Sequence, residues 1–261
     1  MKKALLVGIN NYKQAPLNGC CNDVILMESL LKQRGFTINS LTDNDATKQN
    51  MLEELECLVT GCVAGDSLVF HYSGHGSQVP DNSGDENDGL DECILPIDFT
   101  WDNVILDDDL NRIFGKANGA TIEVILDACH SGSGTRNVLL STKATEFTSR
   151  FIQPPREIFT HVRNAFNVNV NPLMVNNIIT WSGCRDDQTS ADAYINGSYN
   201  GAFTFAFAQL ITSSRKSTLE AVRKFMLNDF LQEPQLTCSN AQTKSAPFEH
   251  SQSLLRSLKF W

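Results

Sequence analysis

Two stretches indicate how this chain folds: Val69-Phe70-His71-Tyr72-Ser73-Gly74-His75-Gly76 and Val124-Ile125-Leu126-Asp127-Ala128-Cys129-His130-Ser131-Gly132. Each is a short apolar run, typical of a buried strand, that breaks into small residues. The first break carries a histidine and the second a cysteine. Two buried strands that end at one edge of a sheet bring an imidazole and a thiol together, which is what a thiol nucleophile with its base requires.

The rest of the chain alternates strand-like and helix-like runs. Strands are predicted over 3–9, 36–41, 67–73, 92–97, 121–127, 178–182 and 235–238. Helices are predicted over 20–34, 47–60, 107–116, 201–211 and 218–230. This order predicts an α/β fold, a mostly parallel central sheet flanked by helices on both faces.

The segment 136–175 differs from the rest, because it is weakly patterned and rich in Ser, Thr, Asn and basic residues. Such a segment inside a compact domain is usually functional or disordered. We therefore expect one domain over 1–261, with a larger portion 1–135, this linker or insertion, and a smaller portion 176–261.

Composition argues against several classes of protein. The 261 residues are 41% hydrophobic and 20% charged, as in an ordinary globular protein. The net charge of -9 argues against nucleic-acid and anionic-membrane binding and fits a basic substrate. No apolar stretch is long enough to span a bilayer. The eight cysteines form no CxxC pair, which favours reduced thiols in a cytoplasmic protein.

The start of the chain is interpreted as the first core strand. Lys2 and Lys3 precede an apolar run, as they do in a signal peptide. That run is short, however, and no small-residue cleavage site follows it.

Cys129 is the candidate nucleophile. It follows a predicted strand, at the edge where open parallel sheets place their ligand crevices. The small residues after it allow a substrate backbone to approach closely. Asp127 lies two positions earlier and therefore on the same side of the strand.

Three histidines are candidate bases. His71 lies inside its strand, where packing is expected, and His130 adjoins Cys129 and so points to the opposite side of an extended chain. His75 lies between two glycines just beyond its strand and can reach across to Cys129. We therefore prefer His75.

These residues resemble the caspase-like cysteine peptidases of the metacaspase and orthocaspase type, family C14 of clan CD. In caspases a histidine lies about 50 residues before a Gln-Ala-Cys motif. Here His75 precedes Cys129 by 54 residues, and Asp127 stands in the glutamine position, which is the metacaspase form. The resemblance covers most of the chain, through these further stretches: 4–12, 17–23, 84–86, 182–192 and 201–204.

The resemblance implies a caspase-hemoglobinase fold and a role for each site residue. His75 is expected to be the general base and Cys129 the nucleophile of an acyl-enzyme mechanism. The backbone N–H groups of Gly76 and Cys129 are expected to form the oxyanion hole. The metacaspase pocket for the residue before the cut, S1, is acidic and accepts Arg or Lys. The matching residues here are Cys20, Asp23, Ser73 and Asp127.

Calcium is implied by the resemblance with less support. No cofactor is required for the chemistry, but many metacaspases bind calcium as an activator, and the matching candidates are Asp91, Asp107 and Asp108. The family site also uses an aspartate seven residues after the nucleophile. That position is Arg136 here, and a cation there argues against the same site.

A peptidase that cuts after Arg or Lys could also cut its own basic linker. The candidate positions for this autoprocessing are Arg136, Lys143, Arg150, Arg156 and Arg163. The alternative is an ordinary basic surface loop.

Three other functions fit the sequence less well. A catalytically silent caspase-like regulator or scaffold is disfavoured because both His75 and Cys129 are present. An Asp-specific caspase is disfavoured because Asp23 and Asp127 would repel an acidic side chain. A nucleotide-binding module is disfavoured because GxGxxG and P-loop spacings are absent. The expected partner is a protein or peptide with Arg or Lys at the cut, without nucleic acid or membrane, and the resemblance favours a monomer over a dimer.

Overall fold

The computed structural model describes residues 1–81, 84, 86, 89–130, 147–161, 177–185, 188–230 and 232–249. Strands in these residues are β1 (Lys2–Gly8), β2 (Thr37–Thr42), β3 (Ser67–Ser73), β4 (Gly76–Pro80), β5 (Leu90–Ile94), β6 (Ile105–Leu106), β7 (Thr121–Asp127), β8 (Phe147–Ser149), β9 (Ile178–Ser182), β10 (Ala191–Ile195), β11 (Ser198–Gly201) and β12 (Gln235–Thr237). Helices are α1 (Cys20–Lys32), α2 (Lys48–Val59), α3 (Asp107–Phe114), α4 (Ala202–Leu210) and α5 (Arg215–Asp229).

The main sheet has six strands in the order β12-β9-β7-β3-β1-β2. The pairs from β9 to β2 are parallel, and only the edge strand β12 runs antiparallel to its neighbour. Two smaller sheets have the orders β4-β5-β6 and β11-β10-β8. The predicted α/β class with a mostly parallel sheet is confirmed.

Helices cover both faces of the sheet, because side chains of the central strands alternate between two apolar clusters. Leu5 and Val7 of β1 point to the cluster that contains α2 and α3. Ala4 and Leu6 point to the opposite cluster, which contains α1, α4 and α5. Burial of apolar surface on both sides is worth roughly 25 cal/mol per Å². Because helices pack on both faces and β3 lies inside the sheet, β3 is buried along its whole length.

A buried ion pair ties α5 to the sheet. Arg215 donates from Nε and Nη2 to the two carboxylate oxygens of Glu123 in β7, both at 3.1 Å. The same carboxylate accepts from the indole of Trp181 at 2.8 Å and from the backbone N–H of Phe248 at 2.6 Å. A buried charge is tolerated when it is paired and fully hydrogen-bonded, as Glu123 is.

Element bounds differ from the sequence prediction in several places. α5 begins at Arg215 rather than 218, because the Ser214 hydroxyl accepts from the N–H of Ser217 and caps the helix. The strand predicted over 92–97 lies at Leu90–Ile94. Strands β4, β6, β8, β10 and β11 were missed. The last two form a hairpin whose turn, Asn196-Gly197, has positive φ at both residues, and an Asn-Gly pair is a turn signal that the sequence offered. None of the helices in the described part of the chain has the length and apolar character needed to cross a membrane.

Candidate active site

The register of the sheet brings the two stretches that decide the fold to one edge. Ser73, the last residue of β3, pairs with Asp127, the last residue of β7. His75 and Cys129 each follow two positions later. A side chain on Gly76 would collide with the carbonyl group of Cys129, so only glycine lets the two strand ends come this close.

His75 is held by its backbone and by one ring nitrogen. Its N–H donates to the hydroxyl of Tyr12 at 3.2 Å, and its carbonyl accepts from the hydroxyl of Tyr72 at 2.7 Å. Its Nε2 lies 2.7 Å from the carbonyl oxygen of Ala15. A carbonyl only accepts, so Nε2 carries the hydrogen and Nδ1 of the neutral ring has a free lone pair. Nδ1 is buried and has no hydrogen-bond partner among the described residues.

Burial lowers the pKa of His75 to about 4, and the hydrogen bond to the Ala15 carbonyl opposes that shift. The imidazole is therefore neutral at physiological pH. A neutral ring with a free Nδ1 is ready to accept a proton. The Ala15 carbonyl is a site group that the sequence analysis missed, because a backbone oxygen leaves no trace in residue identity.

Cys129 lies fully buried beside the chain that follows β9. Its sulfur accepts a hydrogen bond from the backbone N–H of Ser190. The thiol of Cys184 lies 4.0 Å from it, sulfur to sulfur. None of the eight cysteines, all of which lie in the described residues, takes part in a disulfide.

A pocket next to Cys129 is filled by the guanidinium group of Arg150. Its nitrogens lie 2.9 Å from a carboxylate oxygen of Asp23, 2.9 Å from one of Asp192 and 3.3 Å from one of Asp127. Nη1 also donates to the hydroxyl of Ser73 at 2.8 Å. All four charged side chains are fully buried, so the cation and its carboxylates are strongly coupled.

Three of the four residues expected in the acidic pocket thus contact Arg150 directly, and the fourth, Cys20, is buried beside them. Burial raises the pKa of the Cys20 thiol, while the Arg150 guanidinium lowers it. Burial raises the pKa of Asp23 to about 7, against the opposing effect of the same guanidinium. Without a cation in the pocket, its buried carboxylates would repel one another.

Asp192 was missed as a pocket residue. It lies on β10, and its carboxylate also accepts from the backbone N–H groups of Asn18 and Gly19, at 2.7 and 2.9 Å. The signal available in the sequence was a lone carboxylate in the run Thr189-Ser190-Ala191-Asp192. Gly201 makes room for the pocket, because a side chain there would collide with Asp23, Asp127 and Arg150.

The backbone of Arg150 occupies the expected oxyanion position. Its carbonyl oxygen accepts from the N–H of Gly76 at 3.0 Å and from the N–H of Cys129 at 3.3 Å. Its own N–H donates to the carbonyl of Ser190 at 3.1 Å. The residues before it, β8, pair antiparallel with β10, and Phe151 bridges to Gly76. The chain therefore crosses the site in the way that a bound peptide would.

Comparison with known proteins identifies the family. The chain matches the caspase-domain family model over residues 1–246. It is 35% identical to Metacaspase-1 of Schizosaccharomyces pombe in an alignment that covers 92% of this chain and 67% of that protein. The chain belongs to the caspase-domain family. It is similarly related, at 34% identity, to Metacaspase-1 of Meyerozyma guilliermondii, with 95% of this chain and 72% of that protein covered.

The fold of this caspase-domain chain is also similar to a solved structure. The crystal structure of protein GSU0716 from Geobacter sulfurreducens matches it with a TM-score of 0.71 at 28% identity, covering 95% of this chain and 99% of that one. The resemblance inferred from the sequence, a metacaspase-type cysteine peptidase, is therefore confirmed. Its substrates are proteins, as expected of a peptidase family.

Two of the calcium candidates of this caspase domain, Asp107 and Asp108, lie near other carboxylates. Asp91 is buried in β5, and Asp107 and Asp108 begin α3. Burial and the carboxylates of Asp108 and Glu92 raise the pKa of Asp107 to about 6. No group of three potential ligands is arranged to hold a metal ion within the described ranges, and Arg136 lies outside them. Calcium activation stays a prediction.

The autoprocessing candidates have different surroundings. Arg136, Lys143 and Arg163 lie outside the described residues. Arg156 is exposed, at the start of a 3₁₀ helix that spans Arg156–His161. Of the two described candidates, only Arg150 enters the pocket. It is fully buried, unlike a residue of an ordinary surface loop.

We expect acid to destabilise this fold through a second buried histidine. His71 lies in β3 with Nε2 3.2 Å from the hydroxyl of Thr204, and burial lowers its pKa to about 4. The unfolded chain, with a histidine pKa of about 6.5, binds the proton more readily, so stability falls as pH drops from about 6.5 to about 4. The loss from His71 should reach about 2–3 kcal/mol.

Urea unfolding of wild type and His71→Gln at pH 7.5 and 4.5 measures this loss. The wild-type chain should lose about 2–3 kcal/mol more between the two pH values than the glutamine variant does. The Asp23 contribution has the opposite sign, since its folded-state pKa is raised, but it is common to both chains and cancels. Equal losses in the two chains would exclude His71 as the source.

Proposed function

We propose that this chain is a cysteine endopeptidase that cuts peptide bonds after Arg or Lys. The contacts of Arg150 carry the proposal. Its side chain contacts three buried carboxylates, while its carbonyl oxygen accepts from the N–H groups of Gly76 and Cys129. An arginine substrate residue held in the same way would present its carbonyl carbon for attack. Three carboxylates also explain the choice of a cationic side chain, because an acidic one would be repelled.

In the proposed mechanism Cys129 is the nucleophile and His75 the base. Nδ1 of His75 takes the proton of the Cys129 thiol, and the sulfur attacks the carbonyl carbon. The N–H groups of Gly76 and Cys129 donate to the oxyanion as it forms. The imidazolium then gives its proton to the departing amine, which leaves an acyl-enzyme. A water molecule, activated by the same imidazole, hydrolyses the thioester and restores the thiol.

The Ala15 carbonyl supports this role of His75. A hydrogen bond from Nε2 fixes the tautomer that keeps Nδ1 free, and it stabilises the imidazolium formed during the reaction. It acts where the aspartate of a Ser-His-Asp triad acts, with a neutral group in place of a charged one.

We also propose that the first bond cut is the chain's own Arg150–Phe151 bond. Both the pocket and the oxyanion donors contact Arg150, and neither contacts Arg156. Hydrolysis would give one piece that ends at Arg150 and another that begins at Phe151. The new carboxyl end could then leave the pocket and admit a substrate.

Turnover of matched fluorogenic peptides that end in Arg, Lys or Asp tests the specificity. We expect Arg to exceed Lys, because the guanidinium fork reaches several acceptors at once, and Asp to give no turnover. Asp192→Asn should lower kcat/KM for the Arg peptide about 30-fold or more, since losing one partner of a buried charge pair costs about 2–5 kcal/mol. Turnover of the Asp peptide alone would overturn the pocket, and silence toward all three peptides would favour a catalytically silent regulator.

A further inference from the structure

The chain that crosses the active site makes contacts on both sides of Arg150, and these contacts differ from residue to residue. Phe147 is half-buried, Thr148 is exposed, Ser149 is half-buried and Ile152 is buried. If this segment is bound as a substrate, each contact describes what the neighbouring subsites accept. This inference therefore rests on the proposed function and adds residues other than the arginine to the recognised sequence.

The backbone contacts fix the register of the segment. β8 pairs with β10 so that Ser149 lies opposite Ala191 and Phe147 opposite Ala193. The N–H of Arg150 donates to the carbonyl of Ser190, which continues the same ladder. An extended peptide that adds a strand in this way gains affinity from its backbone and specificity from alternate side chains.

Phe147, three residues before Arg150, meets an apolar surface. Its ring packs against the apolar cluster on the α1, α4 and α5 face of the sheet. The residue opposite it, Ala193, is fully buried and small, which leaves space for a large side chain. This position should accept an aromatic or aliphatic residue and disfavour a polar one.

Ser149, immediately before Arg150, is poorly satisfied. Its hydroxyl oxygen is buried and has no hydrogen-bond partner in the described part of the chain. A buried hydroxyl without a partner costs free energy that a methyl group does not. Alanine at this position should therefore bind at least as well as serine.

Ile152, two residues after Arg150, is anchored on the other side of the cut. Its N–H donates to the carbonyl of Gly76 at 3.2 Å, and its carbonyl accepts from the hydroxyl of Ser77 at 2.7 Å. Its side chain joins the apolar cluster on the α2 and α3 face. The position should be apolar too. Thr148, in contrast, is exposed and makes no comparable demand.

From these contacts we propose that the enzyme recognises an extended motif around the cut rather than a basic residue alone. The motif has an aromatic or aliphatic residue three positions before Arg, any residue two before, Ala or Ser immediately before, and an aliphatic residue two after. Protein segments of this pattern in extended conformation are the substrate class.

An internally quenched hexapeptide, Phe-Thr-Ser-Arg-Phe-Ile, tests the motif with full-length wild-type enzyme. Replacing its first residue with Asn should lower kcat/KM about tenfold or more, and replacing its last residue with Asn should do the same. The matched control places the same Asn at the second position, where kcat/KM should stay within about twofold. Replacing Ser with Ala should leave kcat/KM equal or higher.

The outcomes separate the motif from the proposed function. Cleavage of every peptide at one rate would overturn the motif while leaving the Arg specificity intact. A loss at the second position as large as that at the first would overturn the assignment of subsites. No cleavage of any Arg peptide would overturn the proposed function, and the motif with it. A parallel series with Lys in place of Arg should follow the same ranking.

Discussion

Replacing Cys129 with alanine should abolish both peptide turnover and self-cleavage. Cys129 supplies the sulfur that attacks the carbonyl, and alanine keeps the backbone N–H that completes the oxyanion hole. The loss should therefore reflect the missing nucleophile alone, and we expect kcat/KM to fall about 10³-fold or more. Fluorogenic peptide assays and intact-protein mass spectrometry measure the two effects.

Cys57→Ala is the matched control, because Cys57 is an exposed free thiol. It should behave as wild type in both assays. Residual turnover in Cys129→Ala that disappears on adding Cys184→Ala would move the nucleophile to Cys184, whose sulfur lies 4.0 Å from that of Cys129. Turnover that survives both changes would exclude thiol catalysis at this edge of the sheet.

Replacing Arg150 with glutamine should leave the chain in one piece. Glutamine cannot balance Asp23, Asp127 and Asp192, so the bond after it is not held for attack. The variant should also be less stable, because removal of one partner from a buried ion pair costs about 3–5 kcal/mol. Mass spectrometry after incubation measures the first effect, and thermal unfolding measures the second.

Arg156→Gln makes the same substitution at an exposed arginine six residues later, and it should cleave itself and melt as wild type does. Agmatine, a small guanidinium compound, should raise the Tm of Arg150→Gln by filling the pocket, and should leave the Tm of uncut Cys129→Ala unchanged. Cleavage of Arg150→Gln at another basic residue at the wild-type rate would contradict the choice of bond. A Tm equal to that of Cys129→Ala would contradict the charge balance.

The sequence predicted those parts of the candidate site that lie at the ends of strands. Ser73 and Asp127 end adjacent parallel strands, so their meeting, and the approach of the segments with His75 and Cys129, could be anticipated from hydrophobic pattern. The choice of His75 over His71 rested on the same reasoning, and His71 does lie packed inside β3 against Thr204.

The parts that the sequence left open depend on distant segments. Asp192 enters the pocket from a hairpin whose strands are short and partly polar. No periodic hydrophobic pattern therefore predicted these strands or the position of Asp192. Arg150 was one of five basic candidates in a weakly patterned segment, and charge alone does not say which of them meets three carboxylates. The contribution of Ala15 comes from its backbone, which residue identity does not encode.

The two portions of the chain on either side of Arg150 share one interior. β7, from the first portion, pairs with β9, from the second, and Leu6 and Met27 lie in the same apolar cluster as Trp181 and Phe203. The pocket carboxylates are divided in the same way, since Asp23 and Asp127 precede Arg150 and Asp192 follows it. Cutting the backbone at Arg150 would therefore change connectivity without separating the pieces. The product would be a two-chain protein whose halves depend on each other both to stay folded and to recognise arginine.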